Sequence, residues 1–254
     1  MRVLTNDNVG IGGFIITGSA PKHILIRAIG PSLAGLGVPN VLADPVLELH
    51  GQNGFTTVIC NNWHDDPVQA ALIIATGIPP TNDLEAAIDA TLNPGSYTAI
   101  VRGNNNGVGV GLIEVYDLSS AVLAKLANIS TRAFVNTGDD IVIAGFLLGG
   151  NTGNDRVIIR GLGPSLTGLG VPGALADPTL ELRDSNGALL IGDDDWQDNA
   201  TQAALISAAG LALGDPKEPG IAALLPPGLY TALLAGKNNT TGVGVVEVYD
   251  QDAP

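Results

Sequence analysis

Apolar residues along this chain come in short runs, and Gly, Pro, Asn or Asp closes each run. In Tyr97–Arg102 the side chains of Tyr97, Ala99 and Val101 alternate with those of Thr98, Ile100 and Arg102, the period of two that divides a strand into two faces. The same kind of run predicts strands over Val9–Thr17, Ile24–Ile29, Val46–His50 and Thr57–Cys60, and again over Ile141–Leu148, Val157–Leu162, Thr179–Arg183 and Leu189–Gly192. A Pro-Gly turn and an Asn- and Gly-rich turn join the last strands, so the pattern ends in a meander whose final run is Val108–Tyr116.

The chain is also written twice. Arg27 and Arg160, Asp44 and Asp177, Trp63 and Trp196, Tyr97 and Tyr230, and Glu114 and Glu247 each stand 133 positions apart. Phe14 and Phe146 stand 132 apart, which places one extra residue in the turn where TGSAPKH becomes GGNTGNDR. A period of this length suits a self-contained domain rather than one unit of a solenoid. Comparing the copies also resolves an ambiguity: DLEAAIDATL could be helical, but Pro219 and Gly220 in the second copy forbid a helix there, so both copies read as strand, turn, strand.

One short helix per copy is expected. Asp66 caps its start, Pro67 suits its first turn and Gly77 ends it; in the second copy Asp198 or Asn199 and Gly210 take these parts. The predicted fold is therefore all-β: two tandem β-sandwich, jelly-roll-like domains, each with one short helix. Module one spans 1–118, a linker 119–125, and module two 126–254, opening with a strand over Leu126–Thr131. MRVLTNDN aligns with AFVNTGDD, so module one is expected to lack that first strand. A sandwich short of one strand exposes an edge, expected beside Val9–Thr17 and covered by a neighbouring subunit or by residues absent from this chain.

The segments LANISTR, GDDIVIAGFLLGG, IRGLGPSL, LADPTLEL and PPGLYTALLAG ending in VEVYD resemble a tandem module of large secreted or cell-surface proteins of bacteria. The PGxYT strand is also similar to prepeptidase C-terminal domains. The resemblance implies an extracellular, cell-surface setting and no catalytic residue.

Composition narrows the classes. With 11 basic and 25 acidic residues the net charge is −14, which repels nucleic acid and anionic lipid. No apolar run reaches the roughly 20 residues of a membrane helix, so membrane insertion is not expected. Cys60 is alone, and Asp193 takes its place in the second copy. The first residues lack the basic and apolar regions of a signal peptide, so the protein stays inside or is a processed piece.

The loops GPSLAGLG and GPSLTGLG could bind phosphate, expose a nucleophile or turn a corner. They lack the Lys of a phosphate loop, and Pro31 and Pro164 remove an amide donor. Ser32 and Ser165 lack the second glycine of a nucleophile elbow, and the second copy has no histidine, so no Ser-His chemistry is shared. Arg27 and Arg160 are expected to pair with acids, with Asp44, Glu48, Asp177 and Glu181 as the nearby candidates. Trp63 and Trp196 are expected to pack at the sandwich edge rather than form a sugar platform. The acidic tip of module two is the candidate metal site. Asp193, Asp194, Asp195 and Asp198 offer oxygen ligands for Ca²⁺, more charge than Asn61, Asn62, Asp65 and Asp66 supply in module one.

These readings predict a non-enzyme with no cofactor other than that Ca²⁺: a structural or interaction protein serving as stalk, adhesin segment or filament subunit. Its partners would be further copies meeting through strand edges, or other surface proteins and glycans. The alternative is a calcium- or carbohydrate-binding accessory module of a secreted enzyme.

Overall fold

A computed structural model describes residues 1–149 and 153–251. The turn expected to carry the extra residue of the second copy lies partly outside the described residues. The chain forms two compact units, Met1–Ala127 and one beginning at Asn128. The segment read as a linker ends within a strand, Ala124–Val135.

In the first unit the strands are β1 (Arg2–Val3), β2 (Gly10–Gly18), β3 (Lys22–Ile29), β4 (Pro45–Gly51), β5 (Val58–Cys60), β6 (Ala86–Leu92), β7 (Gly95–Gly103), β8 (Gly109–Val110) and β9 (Leu112–Asp117). One antiparallel sheet has the order β2-β7-β4-β5 and the other β6-β3-β9, while β1 pairs with β8. The second unit carries β10 (Ala124–Val135), β11 (Val142–Leu148), β12 (Asp155–Leu162), β13 (Pro178–Asp184), β14 (Leu189–Asp193), β15 (Gly220–Leu225), β16 (Gly228–Gly236) and β17 (Gly242–Asp250). Its sheets are β11-β16-β13-β14 and β15-β12-β17-β10. Apart from β13 and β14, which pair within one sheet, successive strands of this unit alternate between two four-stranded sheets, the wiring of a jelly roll.

Alternation explains most strands. In β2 every second residue is buried, Phe14 and Ile16 among them, and Phe14 stacks on Tyr97 of β7 with ring centroids 5.5 Å apart. Phe146 and Tyr230 repeat that pair at 5.6 Å. Each tyrosine hydroxyl donates to the carbonyl four residues upstream, Asn93 at 2.9 Å and Pro226 at 2.8 Å, which ties the Pro-Gly turn to the strand it starts.

β3 departs from alternation: Ile24, Leu25 and Ile26 are all fully buried. Its second face is covered by α1 (Pro67–Ala75), where Leu25 packs with Trp63, Ala70, Ile73 and Ala87. In the second unit α2 (Ala200–Ala208) does the same through Ile158, Trp196, Ile206 and Leu213. A strand covered on both faces reads as a continuous apolar run.

Both helices start as expected. The Asp66 carboxylate accepts from the amides of Val68 and Gln69, and the Asn199 side chain, rather than Asp198, accepts from Thr201 and Gln202. Gly77 at φ 78° and Gly210 at φ 72° follow the helix ends in the left-handed region. The side chains of Gln69 and Gln202 then clip the helices to β6 and β15, accepting from the amides of Asp89 and Ala222.

The first strand of module one is not wholly missing. Arg2 and Val3 pair with Val110 and Gly109, as Phe134 and Val135 pair with Val243 and Gly242. The open edge is also not where it was expected. The end of β2 is met by the chain that follows β9, with the Ser19 amide donating to Leu123 O at 2.9 Å and Gly18 lying against Leu123 and Ala124. β9 and β6 end the three-stranded sheet on its two sides.

Candidate functional site

The GPSL loops are anchored by a group that lies outside the loops themselves. Glu85 and Glu218 are fully buried. One oxygen of Glu85 accepts from the Gly30 amide (3.1 Å), the Ser32 amide (3.0 Å) and the Ser32 hydroxyl (2.5 Å). Glu218 repeats this with Gly163 (2.9 Å) and Ser165 (3.0 and 2.5 Å). The loop amides of Gly30, Ser32, Gly163 and Ser165 are therefore already bound to a carboxyl oxygen of the protein's own. Glycine is required at the loop start because a Cβ on Gly30 or Gly163 would overlap the carbonyl oxygen of Leu42 or Leu175. Sequence reasoning missed both glutamates, although the repeat carries the signal: Glu85 and Glu218 share its 133-residue spacing.

The arginines pair with acids, but not the expected ones. Arg27 meets Glu114 at 2.5 Å and the Tyr116 hydroxyl at 3.0 Å; Arg160 meets Glu247 at 2.5 Å and the Tyr249 hydroxyl at 3.3 Å. Each tyrosine ring also lies under its guanidinium, 5.0 and 5.3 Å from it. These partners sit one strand away on β9 and β17, so the IEVYD and VEVYD endings owe their pattern to this triad. Glu48 instead meets Arg102 at 2.7 Å, and this hydrogen bond holds its carboxyl below the usual range. Glu181 meets Arg183 at 2.6 Å, while Asp44 accepts from the Asn104 amide nitrogen at 2.8 Å.

The aspartates of the second tip divide. One oxygen from each of Asp194, Asp195 and Asp198 lies within 4.8 Å of the others. Asp193 turns away and accepts from the Gly220 amide at 2.7 Å; burial, opposed by that bond, pushes its carboxyl above the usual range. Lys237 meets Asp194 at 2.6 Å and offsets part of the cluster's charge. In the first unit Asn62 stands where Asp195 does and donates to Asp65 at 3.2 Å, closing the loop. Cys60 takes the place of Asp193, and burial pushes its thiol up.

Trp63 and Trp196 are 6% and 8% exposed, beneath the helices, so neither offers a ring face to a sugar. Asn105, Asn106, Asn238 and Asn239 all adopt φ between 50° and 61°, the left-handed turn geometry for which asparagine is suited. No helix among the described residues is long and apolar enough to cross a membrane.

No family model matches the chain, and no curated protein matches it. Among solved structures, the crystal structure of the STIV MCP is similar over 98% of this chain and 90% of its own, at 14% identity and a TM-score of 0.24. That likeness is too distant to carry an argument. The all-β sandwich assignment rests on the strands and sheets described above.

Proposed function

We propose that this is a non-catalytic structural and interaction protein, a pair of β-sandwich repeats serving outside a bacterial cell as stalk, adhesin segment or filament subunit. The observation that carries this reading is the duplicated loop anchor. In both units one oxygen of a buried carboxyl accepts from a serine hydroxyl and from two backbone amides, so these groups hold the loop. The Arg-Glu-Tyr triads likewise join neighbouring strands of one sheet. Groups used in this way stiffen a scaffold. Electron microscopy of the native material and scattering over a wide concentration range test the proposal, with ordered assemblies expected. A monomer at every concentration would count against assembly. A turnover lost in a folded Ser32→Ala or Ser165→Ala variant would refute the non-catalytic assignment.

The cluster of Asp194, Asp195 and Asp198 favours a second reading, a calcium-binding accessory module. Its test is calorimetry: millimolar Ca²⁺ should raise the unfolding temperature and a chelator should reverse the rise. No shift removes this reading and leaves the scaffold intact.

A further inference from the structure

We propose that the second unit binds an alkylguanidinium group in a cavity of about 250 Å³ beside Glu181, the place that the protein's own Arg102 fills in the first unit. The proposal goes beyond the scaffold reading and does not rest on it.

The first unit shows the site filled. Between β4 and β7, Val46 stands opposite Arg102 and Glu48 opposite Ile100. Arg102 reaches diagonally across these pairs, its Nε donating to Glu48 Oε1 at 2.7 Å. His50 Nε2 lies 3.3 Å from the other oxygen, Oε2. Beside the arginine, Val46 is 3% exposed and the Glu48 side chain 20%.

The second unit keeps the acid and loses the arginine. The 133-residue spacing puts Thr179 at the place of Val46, Glu181 at that of Glu48 and Ala235 at that of Arg102. The register is unchanged, with Thr179 opposite Ala235 and Glu181 opposite Leu233. Arg183, at the place of His50, takes only Oε2 of Glu181, through Nε at 2.9 Å and Nη2 at 2.6 Å. Oε1, the oxygen that Arg102 holds in the first unit, has no partner among the described residues. The Glu181 side chain is 42% exposed, about twice the value for Glu48.

The cavity opens where the arginine side chain is cut back to a methyl group. Thr179, Glu181, Leu233 and Ala235 line it from the strands, and Ile141 adds a further apolar side chain. Asn136, Thr137 and Asn239 bring polar groups from the flanking loops. Apolar side chains beside one carboxyl match a methylene stem that ends in a guanidinium fork. The size suits one side chain, below the roughly 300–1,000 Å³ of pockets for larger ligands. The cations at hand are engaged: Arg183 also donates to Gly187 O at 2.7 Å, and Lys237 meets Asp194 at 2.6 Å. A net charge of −14 draws a cationic ligand to the chain.

The test titrates the full chain with N-acetyl-arginine methylamide and follows the amide resonances of both units. The probe should shift Thr179, Glu181, Leu233 and Ala235 and leave Val46, Glu48, Ile100 and Arg102 unmoved. The neutral citrulline isostere should bind at least about tenfold more weakly, since it cannot make a charge-assisted bond to Glu181. Ala235→Arg should fill the site from within, as Arg102 does, and abolish binding. Glu181→Gln, which keeps the shape of the cavity, should weaken binding at least about tenfold and decides the question if the first variant fails to fold. Equal binding of the arginine and citrulline probes, unchanged binding in a folded variant, or shifts confined to other residues overturn the proposal. Ethylguanidinium separates the sources of the group: tighter binding of the capped arginine points to an arginine in a peptide, equal or weaker binding to a free small molecule. Ordered assemblies that bind no probe would refute this site alone; a monomer that binds it would count against assembly alone.

Discussion

The two units are built by the same residues at the same spacing, yet they differ at one edge and one tip. Strands β9 and β17 both end in EVYD and both hold an arginine of the neighbouring strand. β17 lies between β12 and β10, and its Val246 and Val248 are buried, whereas Ile113 and Val115 of β9 are half-buried. The burial of Val246 and Val248 is therefore owed to the pairing with β10, not to the strand sequence. At the tip the contrast is chemical: an Asn62–Asp65 bond closes the first loop, whereas the second gathers three carboxylates.

The largest test of this comparison breaks what the units share. Glu85→Ala and Glu218→Ala each strand two amides and a hydroxyl in the interior, and each should cost its unit about 3 kcal/mol in denaturant unfolding. Equal losses confirm that the anchors are equivalent; a loss in one unit alone would not.

Val115→Ala and Val248→Ala make a matched pair at the edge. The second opens a space in a filled core and should cost about 2 kcal/mol, the first about half of that, because Val115 is only half-buried. Equal costs would mean that the difference in burial between the two valines does not set their contribution. Helix caps return to the shared features, and Asp66→Ala and Asn199→Ala should each cost about 1 kcal/mol, seen as loss of thermal stability.

The smallest effect concerns Asp193, whose carboxyl is raised above its unfolded value, mainly by burial. A raised acid is penalised while ionised, so its penalty is present at neutral pH and fades as pH falls through the raised value toward the unfolded one. Acidifying from pH 7 toward 4 should thus relieve the second unit at this position, and Asp193→Asn should remove that part of the pH dependence. An unchanged pH profile in the variant would show that the neighbouring aspartates, rather than this one, govern the tip.

Much of the fold was legible because its signals are local. Alternation placed the strands, Asp66 and Pro67 placed a helix start, and Pro219 excluded a helix where the first copy alone was ambiguous. The partners of Arg27 were not legible. Glu114 lies 87 residues away and reaches it only because β3 and β9 pair, while Glu48 and Asp44 are nearer along the chain but were engaged elsewhere. Glu85 was hidden for the same reason. Its charge marks a surface residue in any local window, and its burial is tolerable only once a loop 53 residues earlier supplies donors.

By itself, the sequence determined the doubled β architecture, the turns and the helix caps, since these depend on residues within a few positions of one another. Which strands become neighbours, which acid meets which arginine and which aspartate leaves the cluster were decided by tertiary structure. Those outcomes depend on which strands become neighbours, and a backbone amide or a charge has no preferred partner until the fold brings one within hydrogen-bonding distance.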